Sequence, residues 1–323
     1  NSTHSATSMT TSATATGTGG GNHNLAITGN SISNVNQGIV VVGPTAATDQ
    51  NTGMVIGGVG NGNTITNYGT AVQLSSYANV SGMMNGILVR NTNGYTLSSN
   101  IITSSAGGVT TGTLRGIYQP SGSNSPTGTF TNNVTNNTLS ISSGAATGGV
   151  QGITIEGSSA TAASTLNLNN NSINSLNHTV ASSGTITALS TAAPHLNTNI
   201  NGNTFNNLTT NTSGSFTFIS HNFALLASGN CTISNNSIQT GFSKTVAGNT
   251  VTLTATNSTS PNTSTAVYTN NNFSNITVTG ATGITGFNNT DGGTAPVKTV
   301  SNNTFNNWTG GTSAVLGMNF GYW

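Results

Sequence analysis

The sequence predicts an all-β fold, a right-handed parallel β-helix of about nine coils with a period near 34 residues. Three observations lead to this prediction: a motif that recurs at a nearly constant spacing, an alternation of apolar and polar residues around it, and a near absence of charge. A fixed period of this size indicates a repeat architecture in which each copy packs mainly on its neighbours.

The repeated motif is an apolar residue, here called the anchor, that follows an asparagine by two positions. Its clearest copy is the stretch Asn-Gly-Asn-Thr-Phe-Asn-Asn-Leu-Thr at residues 201–209. The nine anchors are Ile32, Ile65, Ile102, Leu139, Ile173, Phe205, Ile238, Phe273 and Phe305. Successive anchors lie 33, 37, 37, 34, 32, 33, 35 and 32 residues apart. Because loops absorb such variation in a solenoid, we expect one coil per copy.

Two strand-like segments flank each anchor. Five residues before it lies a second apolar position, occupied by Ile27, Leu97, Val134, Leu168, Ile200, Ile233, Tyr268 and Val300, with Gly60 in the second copy. Apolar and polar residues alternate there, which predicts a strand with one buried face. A later segment begins at Gly86, Gly116, Gly152, Thr185, Ser215, Thr250, Gly283 and Ala314. No window has a convincing helical period, and parallel crossovers are right-handed by default.

The asparagine of each motif predicts an internal hydrogen-bonded ladder. Equivalent residues in stacked coils lie about 4.8 Å apart, and asparagine tolerates the left-handed conformation of an inward bend. Its amide can then donate to the next coil while its carbonyl accepts from the coil before. The predicted ladder is Asn30, Asn63, Asn100, Asn137, Asn171, Asn203, Asn236, Asn271 and Asn303. Replacement of one member by alanine is expected to cost roughly 1–3 kcal/mol.

We divide the chain into a Ser/Thr/Gly-rich linker or irregular first coil at residues 1–21 and a β-helix repeat domain at residues 22–323. Residues 317–323 still have the repeat pattern instead of a polar cap, so we expect a piece of a longer polypeptide. Cys231 is the single cysteine, which leaves no disulfide framework, and its place in the repeat predicts a small buried side chain.

Charge is scarce, at 2% of residues against about 25% in ordinary domains. The cations are Arg90, Arg115, Lys244 and Lys298, and the anions are Asp49, Glu156 and Asp291. So weak a field does not attract nucleic acid or anionic lipid, and neither is expected as a partner. No apolar run is long enough to span a membrane. No phosphate-cradling motif stands between a strand and a helix, so no cofactor is expected.

The best polar constellation combines Arg90, Arg115 and Glu156, and we take it as the candidate binding site. Alignment of Gly86 with Gly152 places Arg90 two coils before Glu156, roughly 10 Å away, and Arg115 precedes the strand between them. A polysaccharide-cleaving β-helix enzyme needs paired carboxylates or acidic Ca²⁺ ligands. The three carboxylates fall in three different copies, so no catalytic residue is assigned. The five histidines have no metal-binding spacing, so no metal site is expected.

A file of threonines is the one regular outward feature. The middle residue of the later segment is Thr154, Thr187, Thr217, Thr252 and Thr285 in five successive copies, with Leu88, Tyr118 and Val315 as equivalents elsewhere. An ice-binding solenoid needs two matched threonine columns, and the second positions here are scattered. Threonine also simply suits strands because it is β-branched.

The repeated Asn-x-Ile/Phe-x-Asn-Leu motif, with Gly-Ile-x-Val strands between copies, resembles the parallel β-helix repeats of secreted bacterial surface proteins. Its Asn/Thr-rich, charge-poor form is similar to large extracellular proteins and adhesins of the Bacteroidetes that leave by type IX secretion. The resemblance covers about residues 22–323. It implies a β-helix fold and an extracellular, cell-surface location. It does not assign an activity, because such families include polysaccharide lyases, hydrolases and adhesins.

The sequence therefore predicts a structural extracellular surface protein without catalytic activity, a β-helix segment of an adhesin, stalk or filament. Its expected partners are further repeats of the same polypeptide or copies of itself, with glycans or cell-surface polymers as other contacts. The alternatives are a polysaccharide-active β-helix enzyme and an ice- or surface-binding solenoid. An acidic cluster in a cleft would favour the enzyme, and two threonine columns on a flat face would favour ice binding.

Overall fold

The structure, a computed structural model, describes residues 20–69, 83–106, 112–120, 128–157, 163–256, 259–291 and 296–321. In this part the chain forms parallel strands and no helix, and it winds as a parallel β-solenoid with a period of about 34 residues. The predicted fold class is thereby confirmed, whereas the right-handed sense stays a prediction. Of the predicted linker at 1–21, residues 1–19 lie outside the described residues.

Three sheets run along the solenoid. The first sheet contains Ala26–Ile27, Val55–Gly57, Thr96–Ser98, Thr131–Thr135, Thr165–Asn169, Asn197–Asn201, Asn230–Ser234, Thr265–Thr269 and Val297–Ser301. The anchor sheet contains Ser31–Ser33, Thr64–Tyr68, Ile101–Ser104, Thr138–Ser143, Ser172–His178, Thr204–Phe205 and Ser237–Ile238. The third sheet contains Ile39–Val42, Met83–Arg90, Thr113–Gln119, Val150–Ile155, Ile186–Thr191, Phe216–His221, Val251–Thr256, Ile284–Asn289 and Val315–Phe320.

Two smaller sheets complete the described strands. The fourth sheet contains Leu208–Thr210, Phe242–Lys244, Ile276–Val278 and Trp308–Thr309, and the fifth pairs Asn51–Thr52 with Thr92–Asn93. In earlier coils the corresponding stretch belongs to longer strands of the anchor sheet, such as Ser172–His178. The late coils therefore bend once more than the middle ones.

The anchors stack in one column, as the repeat predicts. Ile32 pairs with Ile65, and the same register continues through Ile102, Leu139, Ile173, Phe205 and Ile238. From Ile65 to Phe205 these side chains have no exposed surface. Burial of an apolar side chain of this size contributes about 1.5–3 kcal/mol, so the column forms a continuous core along the axis.

The second apolar column is confirmed except in the second copy. There Ile56, and not Gly60, pairs with Ile27 and Leu97. The intervening residues at 58–63 form a short loop that lengthens this copy before its anchor. Counting a fixed five residues back from the anchor was therefore wrong at this place, because an insertion shifts every residue that precedes it.

The structure has about seven turns, fewer than the nine predicted. The first and third sheets have nine strands each, but the anchor sheet has seven. In the last two copies the anchor segments form isolated bridges at Asn272 and Thr304. The repeat count finds copies of the motif, but it does not reveal whether a copy makes enough consecutive backbone pairs to form a strand.

The bend between the first sheet and the anchor sheet has its left-handed residue one place before the ladder asparagine. Positive φ angles occur at Gly29, Ser99, Asn136, Asn170, Gly202, Asn235, Asn270 and Asn302. The expectation that the ladder asparagine itself adopts this conformation was wrong. A left-handed residue reverses the chain, and the residue after it then turns its side chain into the interior.

The early strands of the third sheet contain a close-packed column of small residues, which are Gly86, Gly116, Gly152 and Ala188, and the column continues as Phe218 and Leu253 in later strands. A Cβ atom added at Gly116 would lie 2.3 Å from Cδ2 of Leu139 and 2.7 Å from the carbonyl oxygen of Gly152. At Gly317, which continues the same column in the last coil, a Cβ atom would meet nothing within 4 Å. Tight packing against the anchor sheet thus explains the glycines at the start of these segments.

Gly116→Ala is expected to lower the free energy of unfolding by about 2 kcal/mol, because overpacking forces backbone and anchor apart. Urea denaturation measures this change. Gly317→Ala is the matched control and should leave stability nearly unchanged. Equal stability of the two variants would contradict the close packing of Gly116 on Leu139.

Candidate functional site

The asparagine ladder is present along the whole interior bend. In each of its eight links the Nδ2 atom of one asparagine donates to the Oδ1 atom of the next, at 2.8–3.0 Å. The links join Asn30, Asn63, Asn100, Asn137, Asn171, Asn203, Asn236, Asn271 and Asn303 in that order. The predicted direction, with the amide donating toward the next coil, is confirmed by these contacts.

Asn171 illustrates how completely a ladder side chain is satisfied. Its Nδ2 donates to Oδ1 of Asn203 at 3.0 Å and to the carbonyl of Val134 at 2.8 Å. Its Oδ1 accepts from the backbone amide and from Nδ2 of Asn137, at 3.1 and 3.0 Å. The side chain has no exposed surface. Four hydrogen bonds exhaust what an asparagine side chain can make, so the role of the ladder is structural.

Arg115 is the centre of the predicted polar cluster on the outer face of the third sheet. Its guanidinium carbon lies 4.1 Å above the ring centroid of Tyr118, and its Nε donates to Oε1 of Gln151 at 2.6 Å. The hydroxyl of Tyr68 donates to the backbone carbonyl of Arg115 at 2.8 Å. The half-buried guanidinium is therefore held flat against an aromatic ring, an arrangement that favours arginine over lysine.

Glu156 is joined to Arg115 through Tyr118 instead of by an ion pair. The Tyr118 hydroxyl donates to Oε2 of Glu156 at 2.7 Å, and the described residues contain no ion pair between Arg115 and Glu156. Burial and the nearby Glu156 carboxylate raise the pKa of Tyr118 to about 12, against the opposing charges of Arg115 and Arg90. Tyr118 therefore stays a neutral hydrogen-bond donor at physiological pH.

Arg90 lies where the alignment predicts. Ile87 pairs with Ile117 and Ile117 with Ile153, which puts Arg90 two coils before Glu156. The structure thus brings Arg115 and Glu156 onto Tyr118, while Arg90 acts on the same ring through its charge. The sequence pattern did not reveal that Tyr118 joins Arg115 to Glu156, because in the repeat this position is one of the equivalents of an outward threonine.

The carboxylate of Asp291 is remote from this cluster. Asp291 accepts a hydrogen bond from the backbone amide of Ser260 at 3.0 Å and forms an ion pair with Lys298 at 3.5 Å. Four strand-to-strand steps of the third sheet separate the coils of Glu156 and Asp291, or about 19 Å at the inter-strand spacing. Glycosidase carboxylates lie about 5–9.5 Å apart, so these two do not form such a pair.

The threonine file is shorter than predicted. Thr187, Thr217, Thr252 and Thr285 pair in register, but the residue beside Thr187 in the preceding strand is Gln151. Thr154 instead belongs to a second column with Leu88, Tyr118, Ser190, Ser220, Ala255, Asn288 and Asn319. The last equivalent of the file is Leu316 and not Val315. Among the described strands of this face, two matched threonine columns are therefore not found.

A polar groove of about 360 Å³ runs along the fourth sheet. Its floor includes the paired column of Thr209, Ser243, Thr277 and Thr309. The sequence pattern did not indicate this groove, because residues that line it, such as Asn207 and Asn275, lie at bends that are far apart in the chain. Charged residues do not line it.

Cys231, His178 and His221 are each buried at a separate place in the fold. Cys231 is 1% exposed, as predicted, and burial raises the pKa of its thiol. His178 and His221 end their strands, and both are buried. Among the described residues, no group of three His, Cys, Asp or Glu side chains could hold a metal ion. The described part of the chain also contains no helix with the length and apolarity to cross a membrane.

The fold and these contacts define a parallel β-solenoid with an internal asparagine ladder. Comparison with known proteins adds nothing to this class: no protein-family model, no curated protein and no solved structure matches the chain.

Proposed function

We propose that this chain is a structural, non-catalytic segment of a secreted bacterial surface protein, an adhesin, stalk or filament that extends by stacking coil upon coil. The observation that carries the proposal is the uninterrupted asparagine ladder. It adds buried side-chain hydrogen bonds to the backbone pairing of every coil. A location on the bacterial cell surface and export by type IX secretion, as in the Bacteroidetes proteins that the sequence resembles, belong to the same proposal.

The neutral surface supports a structural role. An outward ladder of Asn133, Asn167 and Asn199 joins three coils of the first sheet through amide hydrogen bonds of 2.8 Å. Such polar side chains hold water by hydrogen bonding and without charge. A rod of this kind resists local opening, because each coil unfolds only with its neighbours.

The two ends of the described solenoid expose residues of its core columns. Val315 is 45% exposed although its partner Ile284 is buried, and Met318 is 46% exposed although its partner Phe287 is buried. At the other end Leu25 is 41% exposed. Burial of these apolar side chains under another coil removes apolar surface from water and is therefore favourable. Further coils of the same polypeptide or a second copy of the chain supply such a cover.

The ladder gives the two ends complementary hydrogen-bonding groups. Within the described part, the Nδ2 atom of Asn303 donates to the carbonyl of Tyr268 and to no further asparagine. At the opposite end Asn30 donates to Asn63, so its own Oδ1 points toward the coil that would precede it. A head-to-tail contact would continue the ladder, and contacts of this type generate filaments when they do not close.

We expect the chain to associate end to end in solution and to form rods in electron micrographs. Met318→Lys places a charge on the exposed end, and burying that charge in a stacked contact is unfavourable. Sedimentation velocity should therefore show a shift toward monomer in this variant. Val59→Lys is the control, since Val59 is 90% exposed on a loop beside the solenoid. A native chain that stays monomeric at all concentrations would contradict the proposal.

A further inference from the structure

The guanidinium of Arg115 is fixed in place by neutral partners, and the carboxylate of its cluster, Glu156, accepts a hydrogen bond from Tyr118 instead of forming an ion pair with it among the described residues. Its Nε is bound by Gln151 and its flat face lies on Tyr118. Its terminal amino groups have no hydrogen-bond acceptor within the described residues, and no described carboxylate forms an ion pair with it. Because the side chain is already ordered, a ligand that binds it does not have to immobilise a flexible arginine.

Arg115 stands at the head of a column of neutral hydrogen-bonding side chains. Its partner in the next strand is Gln151, and the column continues through Thr187, Thr217, Thr252 and Thr285. All of these side chains are partly exposed on the outer face of the third sheet. At about 4.8 Å per strand, the uncharged part of the column from Gln151 to Thr285 is about 19 Å long over its four steps, and its hydrogen-bonding side chains suit a chain of hydroxyl groups.

From these two features we propose that the outer face of the third sheet binds an acidic polysaccharide, with Arg115 receiving one of its oxyanion groups. The oxyanion is a carboxylate or a sulfate, since the arginine fork donates paired hydrogen bonds to either group. The sugar hydroxyls then lie along the Gln151–threonine column. Arg115 is on the side of the third coil, so the proposal does not rest on stacking at the ends.

The geometry argues against a neutral sugar as the principal ligand. Proteins bind neutral sugars through exposed aromatic faces and hydrogen bonds, but Tyr118 is 8% exposed and its ring face is covered by Arg115. The Tyr118 hydroxyl is also occupied, because it donates to Glu156. The site offers the positive charges of Arg115 and Arg90 against the single carboxylate of Glu156, which already accepts the Tyr118 hydroxyl, and this excess of positive charge discriminates between acidic and neutral polymers.

Titration calorimetry at low ionic strength tests this with three polymers: dextran sulfate, polygalacturonate and uncharged dextran. At least one acidic polymer is expected to bind about tenfold more tightly than dextran, the effect of a charge-assisted hydrogen-bonded contact. Preference for the sulfated or the carboxylated polymer identifies the source of the oxyanion. Equal binding of acidic and uncharged polymers, or no binding of any of them, would overturn the proposal.

Two variants and one control assign the effect to Arg115. Arg115→Gln removes the charge, and Gln151→Glu places a competing carboxylate against the same guanidinium without removing it. Both should bring the affinity for the acidic polymer down to that for dextran. Lys298→Gln removes the same charge elsewhere and should retain the preference. If Arg115→Gln does not fold, as judged by its melting curve, Gln151→Glu decides. Retained preference in Gln151→Glu, or equal loss in Lys298→Gln, would overturn the assignment.

Discussion

Asn171→Ala is expected to lower the free energy of unfolding by about 3 kcal/mol, the upper end of the range for a buried hydrogen-bonded group. The substitution removes four hydrogen bonds at once. It leaves Oδ1 of Asn203 and the backbone amide of Asn137 without this partner in an interior that water does not reach. Urea denaturation followed by circular dichroism measures the loss.

Asn167→Ala provides the matched control. Asn167 also belongs to an asparagine ladder, but it lies on the outer face of the first sheet, where water replaces the lost contacts. Its removal should cost less than about 1 kcal/mol. Asn171→Asp should behave like Asn171→Ala, because a carboxylate oxygen in place of Nδ2 would face the Oδ1 of Asn203. A stable Asn171→Asp variant would show that the ladder contributes little.

Acidification is expected to destabilise the fold through its buried histidines. Burial lowers the pKa of His195 and of His221 to about 4, against contributions from a backbone carbonyl at His195 and from Asp291 at His221. An unfolded histidine has a pKa of about 6.5. As the pH falls from 6.5 to 4, the unfolded state therefore binds protons at these histidines while the folded state does not. The contribution of each histidine to the free energy of unfolding is fully present above pH 6.5. It falls by up to about 3 kcal/mol as the pH decreases to 4.

The pH dependence of the unfolding midpoint in urea measures this effect. His221→Gln should flatten the decline between pH 6.5 and 4, whatever its effect on stability at neutral pH. His221 is the stronger choice because both of its ring nitrogens are buried and, within the described residues, have no hydrogen-bond partner on another residue. Asn167→Ala, which removes no titratable group, is the control and should leave the slope as it is in the native chain. An unchanged slope in His221→Gln would contradict the pKa assignment.

Repetition is what made the interior predictable from the sequence. The anchor column and the ladder could be identified because nine copies place the same residue types at the same offset, so local insertions do not hide the pattern. A buried position that accepts only one residue type gives the clearest repeat in the sequence. The ladder asparagine, with its four hydrogen-bond partners, is such a position. The same argument located Arg90 relative to Glu156, because no insertion falls within these strands.

The register of the strands and the contacts between side chains of different coils were decided by the tertiary structure. In the third sheet two consecutive residues, such as Ala188 and Leu189, are both buried, which breaks the alternation on which strand patterns depend. Thr154 was assigned to the wrong column for this reason. The contacts of Tyr118 with Arg115 and Glu156 join residues of different coils, and sequence spacing alone does not specify which side chains meet. The sequence by itself determined a stacked, uncharged β-solenoid with an asparagine ladder, because burial and hydrogen bonding repeat with the chain. The polar surface cluster depended on the three-dimensional fold, because its geometry occurs once.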